Sequence, residues 1–279
     1  MSCTARPDFE RALPFAAVAG ECGVCVLWGG PFGVMMPDAI SPVCRGDGET
    51  LPDFLLSGDD RLFREKLTWH DLNALPLPDY ELFSGIPFNR GYGILARQNQ
   101  IPYFSSRGCP YGCSFCLVRY QSQAVRVRTM VEEDLTGLVE RYKPDLIFMG
   151  DALLPYYSEA WRNSWGNFRH PFFAYIHAGI DPASLGWLID RGLCACSFGV
   201  ESGDERHRNE VLGKSLSDEQ LWRTVETLKR HNIGFVPFYM THSPGETFMI
   251  RKKTHDLKEK IGGFPVVWDY EHLVQNGGM

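Results

Sequence analysis

The sequence predicts an α/β fold in which one parallel sheet carries helices on its outside. Two observations point to that class. From about residue 100 onward, short β-branched and aromatic runs alternate with longer segments of helical spacing. Short turns bearing glycine or proline follow the strand runs, and in such a sheet these loops collect along one edge. The chain has 279 residues, 44% of them hydrophobic and 22% charged, which suits a barrel-sized domain plus a smaller piece.

Residues 1–75 read as a partial α/β segment. Val24 to Leu27 has the composition of a short strand and runs into Trp28-Gly29-Gly30-Pro31. A short apolar helix is expected around Leu51 to Leu56. Cys22 and Cys25 are spaced Cys-x-x-Cys at the entry of that strand and are expected to be two buried thiols rather than a redox pair. Residues 76–98 read as a linker, opened by the proline-bearing run from Leu75 to Tyr80. Residues 99–279 then alternate. Strands are expected at Ile101 to Ser105, Leu146 to Met149, Phe172 to His177, Cys194 to Val200, Gly234 to Met240 and Pro265 to Asp269. Helices are expected at Val131 to Tyr142, Pro182 to Arg191, Asp218 to His231 and Phe248 to Lys260. Glu132 and Glu133 in a first turn, and Lys229 and Arg230 in a last turn, suit the helix dipole.

Charge and composition exclude some roles. Lys plus Arg number 28 against 34 Asp plus Glu, a net charge of −6, so nothing argues for a nucleic-acid footprint or an anionic membrane surface. Arg119, Arg126 and Arg128 leave a local basic patch open. No apolar run is long enough to span a bilayer, and the first residues lack the order of a signal peptide. Nine cysteines, unevenly scattered in a chain this large, fit a reducing compartment, so a cytoplasmic protein is expected.

Chemistry concentrates in Ser-Arg-Gly-Cys-Pro-Tyr-Gly-Cys-Ser-Phe-Cys, where Cys109, Cys113 and Cys116 are spaced Cys-x3-Cys-x2-Cys directly after the first strand of the series. Gly108, Pro110 and Gly112 allow a turn tight enough to aim three sulfurs at one centre. Three thiolates are one short of a closed zinc site or a saturated cubane cluster, so one corner stays open. A zinc site completed by a distant histidine, or three unrelated buried thiols, are the alternatives.

On these residues the chain resembles the radical S-adenosylmethionine (SAM) superfamily. The resemblance implies a partial (β/α)6 barrel and a [4Fe–4S] cluster bound by Cys109, Cys113 and Cys116. It also implies that SAM chelates the remaining iron and that Phe115 lies close to the adenine. Met149-Gly150-Asp151 stands where the family contacts the SAM amino group, and Gly150 and Asp151 are assigned to it. Gly199-Val200-Glu201-Ser202-Gly203 resembles Gly-Ile-Glu-Ser, which makes Glu201 and Ser202 candidates for the ribose or methionine moiety. Ser243-Pro244-Gly245-Glu246-Thr247 matches Gly-x-Pro-Gly-Glu-Thr with His242 in place of the leading glycine, and adds Pro244 and Gly245.

The N-terminal piece resembles the end of a Rossmann-like cobalamin-binding domain found in one large subfamily. Trp28 to Pro31, Gly46 to Leu51 and Leu77 to Phe83 match in order, although the leading strands and an Asp-x-His-x-x-Gly are missing. That subfamily implies cobalamin and methyl transfer to an unactivated carbon. The rivals are a cobalamin-independent radical oxidation, cyclisation or rearrangement in a natural-product or tetrapyrrole pathway, a non-catalytic metal-binding protein, and an inactive truncated paralogue. A small-molecule substrate and an electron donor such as flavodoxin or ferredoxin are the implied partners. His177, Tyr175 and Tyr239, at or near strand ends, are candidates for acid–base or hydrogen-bonding work. Cys194 and Cys196 are expected to pack on one face of their strand. The aromatic residues between 161 and 173 are expected to pack on the barrel or line a cavity.

Overall fold

The strands in chain order are β1 (Gln100–Tyr103), β2 (Ser106–Arg107), β3 (Arg126–Val127), β4 (Leu146–Met149), β5 (Phe172–Tyr175), β6 (Leu193–Glu201), β7 (Gly234–Thr241) and β8 (Val266–Asp269). The helices are α1 (Arg6–Glu21), α2 (Val131–Tyr142), α3 (Glu159–Asn163), α4 (Pro182–Asp190), α5 (Asp218–Arg230) and α6 (Phe248–Ile261), with a π-helix at His207–Val211. This computed structural model describes residues 6–30, 43–44, 55–57, 72–83, 99–116, 118 and 125–269.

One six-stranded sheet runs in the order β1-β4-β5-β6-β7-β8, with every neighbouring pair parallel. It is the expected partial barrel, with helices between successive strands as parallel crossovers require. The helices are where local signals place them. Ser217 and Gln220 form a reciprocal capping box on α5, whose Leu221, Thr224, Val225 and Leu228 face inward at helical spacing. Asp181 caps α4 with Pro182 in its first turn, and Thr247 caps α6. The main core joins these helix faces to Ile147, Met149, Phe172, Ala174, Cys196, Phe198 and Val200. Trp161 and Trp165 are fully buried in it, so the aromatic stretch packs on the barrel.

Several expectations need correction. Val24 to Leu27 is not a strand; among the described residues Trp28 and Gly29 have bridge pairing, Trp28 in parallel with Val43. Helix α1 precedes it, carrying Pro14 inside, which is why composition gave no helix signal. Cys22 and Cys25 are both exposed, because without a strand no sheet covers them. Residues 51–54 of the expected apolar helix lie outside the described residues, while 55–57 are helical. The first strand stops at Tyr103, and Ser106–Arg107 pairs antiparallel with Arg126–Val127 instead.

The first part of the expected linker is docked. Arg128 is buried and ion-paired to Asp134, and its guanidinium donates to the Leu72 and Leu75 carbonyls. Tyr103 donates to the same Asp134 (2.7 Å), and Tyr80 donates to the Pro102 carbonyl on edge strand β1. Arg128 therefore belongs to a buried ion pair and not to a basic patch. Arg119 lies outside the described residues. Cys196 packs in the main core and Cys194 in a cluster with Leu146, Phe173 and Ala195, so both pack, but in different clusters. No helix among the described residues is long and apolar enough to cross a membrane.

Candidate active site at the carboxyl edge of the sheet

The cysteine loop leaves β2 at the carboxyl edge, where Gly108 takes the left-handed φ of 93° that starts its turn. The antiparallel pairing of β2 with β3 clamps its base. Its far side rests on the segment after the π-helix: the Ser114 N–H donates to the Leu212 carbonyl and its hydroxyl to the Val211 carbonyl, both at 3.1 Å. Cys113 is buried, and Cys109 and Cys116 are half-buried. Burial pushes the Cys109 and Cys113 thiols up; the neighbouring thiols add to this, while the Lys214 cation opposes it. The three sulfurs thus share one electrostatic environment. Among the described residues no three His, Cys, Asp or Glu side chains close around a single ion.

Gly150 and Asp151 follow β4 on the same edge. The Gly150 N–H donates to the Tyr103 carbonyl at 2.8 Å, and the Phe104 ring lies where a side chain on Gly150 would stand. Asp151 is only 1% exposed. Its Oδ1 accepts from the Ser105 hydroxyl at 3.0 Å and the Ser106 hydroxyl at 2.5 Å, and Trp161 Nε1 donates to the Ser105 oxygen at 2.9 Å. Oδ2 has no hydrogen-bond partner among the described residues. Burial pushes this carboxyl up to about 6, against the pull of the two serines. A buried carboxylate with one free oxygen is prepared for a cationic donor.

Glu201 ends β6 in a left-handed conformation (φ 65°), beyond a register shift against β7 between Gly199 and Glu201. It is 4% exposed and ion-paired to Lys214 at 3.0 Å. A Cβ on Gly199 would collide with both the carboxylate and the ammonium, so the glycine makes room for the pair. Burial pulls Lys214 down, but the Glu201 carboxylate and the Cys113 thiol outweigh it and its pKa is raised. Its ammonium also lies 6.0 Å from the Phe115 ring centre. Ser202 is buried; its hydroxyl accepts from the Asp204 N–H, and its carbonyl from Arg208. Arg208 is fully buried and also donates to the Leu216 carbonyl and to Asp218. One cation thereby folds residues 202–218 over the cysteine loop.

Pro244 and Gly245 are exposed in the turn after β7, with Gly245 at φ 70°. His242 occupies the position of the family's glycine and takes a glycine-like φ of 59°. Its N–H donates to Glu246 at 2.6 Å, and its Nδ1 lies 3.1 Å from Asp269 on β8. Ser243 is tied to the π-helix by His207 Nε2 at 2.8 Å. His242 thus adopts at this position the left-handed conformation that glycine takes most readily.

The three strand-end candidates separate. His177 accepts the Gly179 N–H at Nδ1, and its Nε2 donates to the Lys214 carbonyl, each at 3.0 Å. Burial and the Lys214 cation bring it down to about 4, so it is neutral with both nitrogens used. Its ring stacks on Tyr111 of the cysteine loop, with centroids 4.3 Å apart and planes 8° apart, and it therefore braces the loop. Tyr175 lies half-buried on the concave face against Phe148 and Phe173. Tyr239 is fully buried in the main core among the helix-facing residues, away from that face. Lys214, Arg208 and the serine pair escaped sequence reading. A buried Glu201 demanded a partner, but nothing local marked a lysine 13 residues later.

A family description, Radical SAM superfamily, matches residues 103–257. No curated protein matches the chain. Two solved structures of TsrM from Kitasatospora setae, a radical S-adenosylmethionine methyltransferase, resemble it. The one with tryptophan substrate and the SAM analogue aza-SAM bound has a TM-score of 0.65 at 15% identity, covering 88% of this chain and 54% of that one. The one with cobalamin and a [4Fe-4S] cluster bound has a TM-score of 0.63 at 13% identity, covering 88% and 55%. At such identities the likeness is one of fold, and the chain spans about half the length of these relatives. With more than half of its residues inside the family match, and with the cysteine loop on the edge where parallel barrels carry their chemistry, the chain belongs to the radical SAM superfamily, whose enzymes work with a [4Fe–4S] cluster and SAM.

Proposed function

We propose that Cys109, Cys113 and Cys116 each hold one iron of a [4Fe–4S] cluster, and that the same edge holds SAM on the remaining iron. The observation that carries this reading is the three-cysteine loop standing beside a buried carboxylate with one unpartnered oxygen, Asp151 Oδ2. The residues present fit both groups. Asp151 offers a free acceptor to an ammonium, Gly150 permits close backbone approach, and Lys214 supplies a buried cation that offsets thiolate and carboxylate charge. Bound there, such a cluster would supply the electron for reductive cleavage of SAM, the chemistry by which these cofactors abstract hydrogen from a substrate.

The protein's own residues position and exclude. His177 holds Tyr111, and so the cysteine loop, through a flat ring contact while staying neutral. Arg208 fastens residues 202–218 as a cover that keeps water from the loop. Glu201 and Ser202 would serve the methionine or ribose moiety of SAM, and Phe115, Pro244 and Gly245 its adenine.

For the reaction, methyl transfer to an unactivated carbon with cobalamin as carrier is supported by the order of the N-terminal motifs and by the shared fold with TsrM. A second reading, a radical reaction without cobalamin, is favoured by one observation. Among the described residues of 6–75 there is one long helix and bridge pairing at Trp28 and Gly29, and no strand. No step is therefore assigned to cobalamin. Anaerobic reconstitution tests the proposal. About four irons per chain, a paramagnetic spectrum perturbed by SAM, and 5′-deoxyadenosine after dithionite reduction are expected. Stoichiometric zinc with no SAM effect would overturn it. Retention of a corrinoid with a methylated product selects the first reaction class; release of all corrinoid selects the second.

A further inference from the structure

The ion pair of Glu201 and Lys214 is held against local strain. Glu201 stands in the left-handed region at φ 65°, which its β-carbon disfavours, and Gly199 must lack a side chain to admit the pair. The Lys214 side chain is 12% exposed and that of Glu201 5%, so both charges are largely removed from water. A pair of this kind seldom stabilises a fold more than well-packed apolar residues of equal volume would. Stability alone therefore gives no reason for it. What stands beside it is the cysteine loop.

The backbone of Lys214 is fastened next to that loop. Its N–H donates to the Arg208 carbonyl at 3.1 Å, and its carbonyl accepts from His177 Nε2 at 3.0 Å. One residue earlier, a Cβ on Gly213 would stand 3.5 Å from the Gly112 carbonyl oxygen and 3.8 Å from Cys113 Cα. The ammonium lies 3.0 Å from Glu201 Oε1 and 6.0 Å from the centre of the Phe115 ring, the residue just before Cys116. Burial raises the Cys109 and Cys113 thiols, and Lys214 opposes it at both. At Cys113 it outweighs the contrary push of the Glu201 carboxylate. The field of the pair at the sulfurs is thus that of its cation.

We propose that Lys214 sets the reduction potential of the cluster held by Cys109, Cys113 and Cys116, its ammonium favouring the reduced form while Glu201 keeps that ammonium in place. The inference rests on the proposed cluster and names the side chain that tunes its electron uptake. Reduction moves one electron from a low-potential donor onto the cluster and adds one negative charge. No bond breaks and no proton is taken up, because Lys214 is already protonated in its ion pair. A cation fixed nearby lowers the energy of the added charge, and in a site poor in water little screens it.

Potentiometric titration of the anaerobically reconstituted full chain with dithionite, followed by its paramagnetic signal in the absence of SAM, tests the proposal. Lys214→Met combined with Glu201→Gln removes both charges and leaves neither bare. This double variant should keep about four irons per chain. Its reduction should become about tenfold less favourable, a fall of about 59 mV for one electron. Lys214→Arg should stay within about threefold of the parent, since a guanidinium remains charged. The tenfold difference should persist from low to high salt, because buried charges are screened far less than exposed ones. An unchanged or higher potential in the double variant, an equal fall in Lys214→Arg, a difference that vanishes at high salt, or loss of iron from the double variant would overturn the inference. Failure of the unaltered protein to take up iron is a separate result that strikes the cluster reading itself.

Discussion

Asp151 holds the least relieved charge at the site. Its carboxyl titrates near 3.8 when free and is pushed up to about 6 by burial. Between those values the folded state keeps a proton that the unfolded state has lost. Stability therefore falls as pH rises through that window, and the cost is full above it, on the order of 3 kcal/mol. Without ligand, Asp151→Asn should be the more stable protein at neutral pH, with the gap closing by about pH 4 in urea titrations. SAM should reverse the order, because an ammonium on Oδ2 favours the ionised form. His177 has the opposite sign: its folded value of about 4 lies below the free 6.5, so its contribution is complete above 6.5 and lost as pH falls toward 4. His242 carries its own small strain. His242→Gly should stay within about 1 kcal/mol of the parent, since relief of the left-handed φ offsets loss of an exposed pair with Asp269. His242→Val should cost roughly 2 kcal/mol in the same denaturation assay.

At the level of elements, the segment 202–218 decides whether the cysteine loop is held. Its Lys214 ammonium neutralises Glu201, and its Val211 and Leu212 carbonyls receive Ser114. Lys214→Met leaves a buried carboxylate unpaired and should cost about 3–5 kcal/mol, with faster hydrogen exchange at residues 109–116. Adding Glu201→Gln should restore most of the stability, since it is the unpaired charge and not the lost contact that costs. The strap at 72–83 depends in the same way on Arg128. Arg128→Met should release it to limited proteolysis between residues 72 and 83, because its two carbonyl contacts and the Asp134 pair go together.

For the whole molecule, the parallel sheet gathers segments from residues 109 to 245 onto one edge. Helices α2, α4, α5 and α6 were legible because caps and apolar spacing are local signals, and each strand of the sheet read correctly within a few residues for the same reason. Val24 to Leu27 failed because a strand needs a partner, and composition names none. Tyr239 failed because proximity to a strand end says nothing about which face a side chain takes; sheet register decides that, and it shifts beside Glu201.

The sequence by itself determined the fold class, the cysteine spacing and the order of the turns after β4, β6 and β7, all properties of residues close together in the chain. Only the tertiary structure decided which charges meet and which stay bare. Lys214 against Glu201, Arg208 beneath the covering segment, His177 flat on Tyr111 and the free oxygen of Asp151 depend on distances between elements. Burial there turns each missing or present partner into kilocalories, a term no local pattern encodes.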